Sequence, residues 1–161
     1  MKIVLSPSKT KTITTVDNDG AVHSAVQDGQ FQPHITQDIV KHVQSLDVAA
    51  LGKALKLKDD KAQAIFDFYQ AFESHPVGHA CESYDGIAFK YLDWQNLSEE
   101  AKAFGESHLV VMSALYGVVE PMMGVRDYRL DMVDKVGINL YDTWREAVDA
   151  YFHKEDWILN L

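Results

Sequence analysis

The sequence is poor in cysteine and has no long apolar stretch, and each shortage excludes a class of protein. Cys81 is the single cysteine among 161 residues, so an internal disulfide framework is excluded. No apolar run is long enough to cross a bilayer, and the N-terminus lacks the basic-then-apolar pattern of a secretory signal. These features predict a cytoplasmic protein that does not bind membranes.

Positive charge is also scarce. The chain has 15 lysines and arginines against 24 aspartates and glutamates, which gives a net charge of -9. Because phosphates repel an acidic protein at long range, this charge opposes unspecific binding to nucleic acid. Any nucleic-acid site must therefore be a local basic patch, and solubility is the simpler explanation of the acidity.

The apolar residues, 47% of the chain, are arranged as strands that alternate with helices. Residues 2–5, 108–115 and 157–161 read as buried strands, and helical periodicity fills most of the sequence between them. This pattern predicts a single α/β domain over residues 1–161, with a mixed sheet in which the three strands are parallel neighbours. Residues 36–73 form a helical hairpin subregion, an insertion that resembles a helix–hairpin–helix.

Local signals predict further boundaries. A D-N-D-G run within residues 12–30 indicates a β-hairpin, and residues 118–138 are expected to be mostly loop. Asp47, Ser98 and Asp142 are predicted to cap the helices that follow them. The last strand stops in mid-run, so we expect that a C-terminal portion is missing, either because the gene is shortened or because the sequence is a piece of a longer one.

Polar side chains follow two of the predicted strands. The first strand leads into Ser6, Ser8, Lys9 and Thr10, and the second leads into Ser113, Tyr116, Gly117, Arg126, Tyr128 and Arg129. Because ligands bind beyond the carboxyl ends of parallel strands, loops 6–10 and 113–131 are predicted to form one pocket for an anion, most naturally a phosphate. Two simpler readings stay open: the hydroxyls cap a turn beside a solvated Lys9, and Arg129 forms a structural salt bridge with Asp127 or Asp131.

A second candidate site is basic. Lys53, Lys56, Lys58 and Lys61 cluster within residues 47–61, where two short helices meet at a tight turn. Helix–hairpin–helix modules bind the duplex backbone through such turns and nearby lysines, without reading the base sequence. The turn lacks the glycines that are typical of these modules, and a helical hairpin with a solvated basic face is the alternative.

Motifs for metals and catalysis are weak or absent. His75, His79 and Cys81 have the spacing H-x3-H-x-C, which zinc would accept, but a fourth ligand is unaccounted for and the loop is short. No metal and no cofactor are therefore predicted. A general acid or base could be among Asp85, Asp93, Glu120 and Asp131. Their spacing selects no pair, so the catalytic residues stay unknown.

Four segments resemble one family in order and spacing. Residues 6–10, S-P-S-K-T, are similar to the S-P-[AS]-K-T opening of the YaaA peroxide-stress family. Residues 112–132, M-S-A-L-Y-G-V-V-E-P-M-M-G-V-R-D-Y-R-L-D-M, resemble its L-S-x-L-Y-G-x-L-R-P-x-D-x-x-x-P-Y-R-L-E-M signature. Residues 140–144, L-Y-D-T-W, resemble its L-Y-x-F-W, and residues 158–161, I-L-N-L, resemble the start of its I-N-L-A-S.

The resemblance implies a cytoplasmic protein that helps bacteria to survive hydrogen peroxide, partly by limiting free iron. It also implies an α/β fold with a basic cleft, a helix–hairpin–helix element and DNA binding. The chain departs from the family pattern at Glu120, which replaces an arginine, at Met123, which replaces an aspartate, and at Asp127, which replaces a proline. The basic K-K-A-R-G-like segment of the family is absent. These differences weaken the grip on phosphate that the resemblance implies.

Three functional hypotheses follow. The first is a stress protein that binds DNA weakly and without sequence preference, through Lys9, Lys53, Lys56, Lys58, Lys61, Arg126 and Arg129. The second is an enzyme that acts on a nucleoside, nucleotide or damaged base, which Tyr84, Tyr116 or Tyr128 would stack. The third is a scaffold that sequesters iron or a partner, for which His75, His79 and Cys81 would be the ligands.

Overall fold

The structure, a computed structural model, describes residues 1–13 and 30–161. Its strands are β1 (Lys2–Leu5), β2 (Gly78–His79), β3 (Leu109–Ser113), β4 (Gly117–Val119), β5 (Gly124–Val125) and β6 (Ile158–Asn160). Its helices are α1 (Pro33–Gln44), α2 (Val48–Leu55), α3 (Asp59–Gln70), α4 (Ala80–Ser83), α5 (Ile87–Leu92), α6 (Glu99–His108) and α7 (Leu140–Phe152). None of the helices in these two ranges is both long and apolar enough to cross a membrane.

Four strands form the main sheet in the order β4-β3-β1-β6. Strand β1 pairs in parallel with both β3 and β6, so that Ile3 lies opposite Leu109 on one side and Leu159 on the other. Strand β4 returns antiparallel to β3. The predicted α/β fold with a mixed sheet is therefore confirmed, and the carboxyl ends of β1 and β3 meet at one edge of the sheet.

Helices α2 and α3 form a tight hairpin within the predicted stretch 36–73. Asp47 caps α2 as predicted, since its carboxylate accepts a 2.7 Å hydrogen bond from the N–H of Ala50. The helices approach closely at Gly52, where an added Cβ would lie 2.9 Å from the Cβ of Ala62. Lys56 ends α2 with a φ of 55°, a left-handed conformation that glycine more often adopts at this position.

Two local predictions need correction, and a third falls mostly outside the described residues. Asn139, not Asp142, caps α7: its side chain accepts from the N–H groups of Tyr141 and Asp142, and Asp142 itself lies in the first turn. The expected loop over residues 118–138 contains part of β4 and all of β5, which pairs with β2. Most of the hairpin predicted in residues 12–30 lies outside the described residues.

The core lies between the main sheet and the helices, and Trp144 of α7 anchors it. The indole N–H of Trp144 donates a 2.9 Å hydrogen bond to the carbonyl of Ala114, just after β3. Gly117 lies under the indole with a φ of 71°, and a Cβ there would be 2.6 Å from the ring. Both the backbone conformation and the contact require glycine, so Gly117 fixes the turn that precedes β4.

Candidate functional site

The loop after β1 and the segment before α7 meet at the carboxyl edge of the sheet. Asp131 joins them, because its carboxylate lies 2.9 Å from the ammonium of Lys9 and 3.2 Å from the guanidinium of Arg129. Arg129 also lies 3.4 Å from the carboxylate of Asp134. The structure thus brings Lys9 and Arg129 together and shows the simpler arrangement too, a salt bridge between Arg129 and Asp131. Anion binding by this group stays a prediction.

The hydroxyl groups of Ser8 and Thr10 form hydrogen bonds that fix the backbone of this loop. The N–H of Thr10 donates to Ser8 Oγ at 3.3 Å, and the two hydroxyls share a hydrogen bond of 3.2 Å. The Thr10 hydroxyl also donates to the carbonyl of Asp85 at 2.9 Å. Ser6 is exposed at the end of β1. Ser8 and Thr10 therefore shape the loop as turn residues, in agreement with the alternative left open above.

Lys11 belongs to this edge, although the motifs did not single it out. Its ammonium donates a 2.8 Å hydrogen bond to the carbonyl of Tyr128 and lies 4.1 Å from the centre of the Tyr128 ring. It also lies 5.5 Å from the centre of the Tyr84 ring. Burial lowers the pKa of Lys11 from 10.5 to about 8; Arg129 lowers it further, while Asp127 and Asp131 oppose the shift.

Lys11 reaches this position because the chain stays extended after the S-P-S-K-T segment. The N–H of Thr12 donates to the carbonyl of Ser83 at 2.8 Å, and the N–H of Asp85 donates to the carbonyl of Thr10 at 3.0 Å. The alternation in T-K-T is a weak signal for such pairing. Nothing local to Lys11 indicates the aromatic rings that bury it.

Tyr84, Tyr116 and Tyr128 lie in the core rather than on an open surface. Each side chain is almost fully buried, with an exposed fraction of 3% or less. The Tyr128 hydroxyl bonds to Ser113 Oγ at 2.7 Å and to the Tyr84 hydroxyl at 3.0 Å. Burial raises the pKa of all three phenols above the ordinary value of 10.0. The rings leave no free face for the base that the enzyme hypothesis would stack there.

Ser113 ends β3 by bonding three groups at once. Its Oγ accepts from the N–H groups of Leu115 and Tyr116 at 3.2 and 3.0 Å, besides its contact with Tyr128. The Tyr116 hydroxyl in turn accepts from the N–H of Arg126 at 3.2 Å. The predicted site residues Ser113, Tyr116, Gly117 and Tyr128 are therefore parts of the scaffold beneath the edge.

Arg126 does not join Lys9 and Arg129, contrary to the sequence expectation. Its Nε donates to the carbonyl of His75 at 3.2 Å, and its Nη2 donates to the Glu73 carbonyl and carboxylate at 3.3 and 3.0 Å. Strand β5 ends at Val125, so the chain turns there and Arg126 lies against the segment after α3. The guanidinium is buried, with 4% of its side chain exposed.

The four lysines of the hairpin lie at the end of α2, in the turn and at the start of α3. Lys53, Lys56, Lys58 and Lys61 are all exposed, and within the described residues no acidic side chain lies within 4.0 Å of their ammonium groups. We call these four residues the hairpin lysine surface. Asp59 and Asp60 occupy the first turn of α3 beside it, and the side chain of the N-cap residue, Lys58, makes no capping hydrogen bond.

His75, His79 and Cys81 do not converge on a metal position. His75 stacks on Phe68, and His79 lies 3.5 Å from the carboxylate of Glu82. Cys81 is buried, and burial raises the pKa of its thiol to about 12. In residues 1–13 and 30–161, no three His, Cys, Asp or Glu side chains form a group that could hold a metal ion.

Comparison with known proteins supports the resemblance of the motifs. A family model described as "Peroxide stress protein YaaA" matches residues 1–161. A UPF0246 protein from Finegoldia magna is 32% identical over 158 residues, which cover 98% of this chain and 62% of that protein. UPF0246 proteins from Desulfitobacterium hafniense and Rickettsia bellii are 32% and 29% identical over all of this chain and 64% and 66% of their own lengths.

The chain thus spans less than two thirds of the length of these relatives. The agreement nevertheless extends over every segment that carries the motifs, from the loop after β1 to β6. The sequence match, the α/β fold and the joined loops at the sheet edge therefore lead to one assignment: the chain belongs to the YaaA family of peroxide stress proteins.

Proposed function

We propose that this chain acts in the cytoplasmic response to peroxide stress and binds nucleic acid through phosphate contacts made by the hairpin lysine surface. Membership of the peroxide stress family supports the first part. The observation that carries the second is that four exposed lysines share one short hairpin without acidic partners within the described residues. In a chain with a net charge of -9, such a cluster is a local basic patch.

The hairpin lysine surface is more positive than the edge of the sheet. Residues 47–61 hold its four lysines and three acids, Asp47, Asp59 and Asp60, so one positive charge remains in excess. At the sheet edge, Lys9, Lys11 and Arg129 are matched by Asp127, Asp131 and Asp134. A phosphate backbone is therefore attracted more strongly to the hairpin, and the edge contributes little long-range attraction.

Contacts of this kind carry no information about base sequence. Lysine ammonium groups neutralise phosphates as point charges. The backbone N–H groups at the start of α3, where Lys58 makes no side-chain capping bond, are further donors that suit a phosphate. Binding should accordingly be weak, independent of base sequence and steeply dependent on salt. Four phosphate contacts correspond to a slope of about -3.6 in log K against log salt, or about a 150-fold loss of affinity between 50 and 200 mM salt.

Fluorescence anisotropy with a labelled 20-base-pair duplex at several salt concentrations tests the proposal. In the double variant Lys53→Gln/Lys56→Gln, log K should depend half as steeply on log salt, with a slope of about -1.8, because two phosphate contacts are lost. The matched control Lys135→Gln/Lys154→Gln removes two exposed lysines elsewhere, so its slope should stay that of the parent chain. Absence of a complex at 50 mM salt, or an equal loss in both double variants, would overturn the proposal.

A small phosphate ligand at the sheet edge is a second candidate, which the convergence of Lys9, Lys11 and Arg129 favours. Such a ligand would have to displace the carboxylate of Asp131 from two cations. Titration of the chain with inorganic phosphate, followed by ¹⁵N NMR, should then move the amide signals of residues 8–11 in a saturable way. Shifts that grow linearly without saturation would remove this candidate.

A further inference from the structure

A cavity of about 360 Å³ lies between α1 and the short 3₁₀ turn Phe72–Ser74. Pro33, Gln37 and Val40 of α1 line one wall, and Phe72, Glu73 and Arg126 line another. The cavity shares no lining residue with the hairpin lysine surface or with the sheet edge. Its wall combines apolar surface with amide and charged groups, a composition that is typical of sites for small polar ligands.

Arg126 is the unusual member of this wall, because it is a buried cation with N–H donors that have no partner among the described residues. Its side chain is 4% exposed, and its guanidinium packs 4.8 Å from the centre of the Phe72 ring. Nε and Nη2 are bonded to His75 and Glu73, whereas Nη1 donates to no atom of residues 1–13 and 30–161. A guanidinium carries five N–H donors, and the two on Nη1 are therefore available to a ligand within the described residues.

We propose that this cavity binds a small organic monocarboxylate, with the ligand carboxylate on Nη1 of Arg126. The planar guanidinium matches a carboxylate in shape and forms charge-assisted hydrogen bonds with it. The amide of Gln37, which is exposed at the cavity, supplies a further donor, and Val40 and Phe72 provide apolar surface for a short carbon chain.

Glu73 limits the negative charge that a ligand of this cavity can carry. Its carboxylate already lies 3.0 Å from Nη2 of Arg126, so it neutralises part of the cation and occupies one side of the guanidinium. A singly charged ligand finds a partner on the other side, whereas a dianion such as phosphate is repelled by Glu73 at close range. The Glu73 side chain is 70% exposed, and its carboxylate competes with the ligand for the guanidinium of Arg126.

Titration with sodium propionate, followed by ¹⁵N NMR, tests the site. Propionate should shift the amide signals of residues 37–40 and the Arg126 side-chain signals in a saturable way, and inorganic phosphate at equal concentration should not. Saturable shifts elsewhere only, no saturation by 50 mM propionate, or equal shifts with phosphate would overturn the proposal.

Three substitutions at exposed positions keep Arg126 itself in place, and two of them, at Gln37 and Gln95, touch none of its hydrogen bonds. Gln37→Glu places a like charge at the cavity and should raise the Kd for propionate at least fivefold. Glu73→Gln removes the competing carboxylate and should lower the Kd at least threefold. Gln95→Glu makes the same charge change as the first variant at an exposed residue outside the cavity, and it should leave the Kd unchanged. Equal effects of the two Gln→Glu variants would indicate bulk electrostatics and refute the site.

Discussion

Lys11 should make the stability of the fold rise with pH between about 8 and 10. Its folded-state pKa is about 8, against 10.5 for an unperturbed lysine, and the main cause is burial between Tyr84 and Tyr128. Between those two values the unfolded chain binds a proton that the folded chain does not. Folding then releases a proton, so raising the pH favours the folded state until the unfolded lysine also loses its proton.

The size of the effect follows from the two pKa values. Between pH 7.5 and pH 9.5, Lys11 should add about 2 kcal/mol to the free energy of unfolding. Cys81 acts in the opposite direction, because its raised pKa keeps the folded thiol protonated while the unfolded thiol ionises above pH 9.0. A comparison of Lys11→Met with the parent chain cancels the contribution of Cys81, which both proteins share.

Urea unfolding of both proteins at pH 7.5 and pH 9.5 measures this difference directly. The parent chain should gain about 2 kcal/mol relative to Lys11→Met over that interval. Lys135→Met is the matched control: Lys135 is exposed, so its removal should leave the pH dependence of the parent chain intact. Equal pH dependence in the parent chain and Lys11→Met would show that the ammonium is not desolvated, and would refute the burial of Lys11.

Two further substitutions test the scaffold beneath the sheet edge. Gly117→Ala should lower the free energy of unfolding by about 2–4 kcal/mol in urea titrations, because it adds a Cβ at positive φ against the Trp144 ring; an unchanged midpoint would contradict the close contact. Tyr128→Phe should cost about 1–3 kcal/mol, because Ser113 loses its buried hydroxyl partner. The control Tyr141→Phe alters an exposed hydroxyl and should have no such effect.

The main elements of the fold could be predicted because their signals are local. The three parallel strands are short apolar runs, two of them followed by polar residues, and topology rules then make the strands neighbours. Strands β2 and β5 have no such local signal. Each is only two residues long, and each is defined by its antiparallel pairing with the other. The start of α7 was misplaced because Asn139 and Asp142 are both good capping residues, three positions apart, and the fold uses the first.

The parts of the site that depend on local signals could be predicted, and those that depend on distant side chains could not. The meeting of Lys9 with Arg129 was predictable from strand order, because β1 and β3 are parallel neighbours and their carboxyl ends lie at one edge of the sheet. The burial of Lys11 and the direction of Arg126 depend on side chains far away in the sequence, Tyr84 for the first and Glu73 for the second. Residue type and spacing hold no information about such partners.

Pairing with acids, more than the number of cations, determines where a polyanion would bind. The loop after β1 and the Y-R-L motif both resemble segments of the family, and the sequence predicts an anion site there. In the fold, however, Asp131 lies between Lys9 and Arg129 and neutralises the attraction that either would exert at a distance. The hairpin lysine surface has no such carboxylate within the described residues, so salt-dependent attraction should originate there, and the sheet edge should respond only to a ligand small enough to replace Asp131.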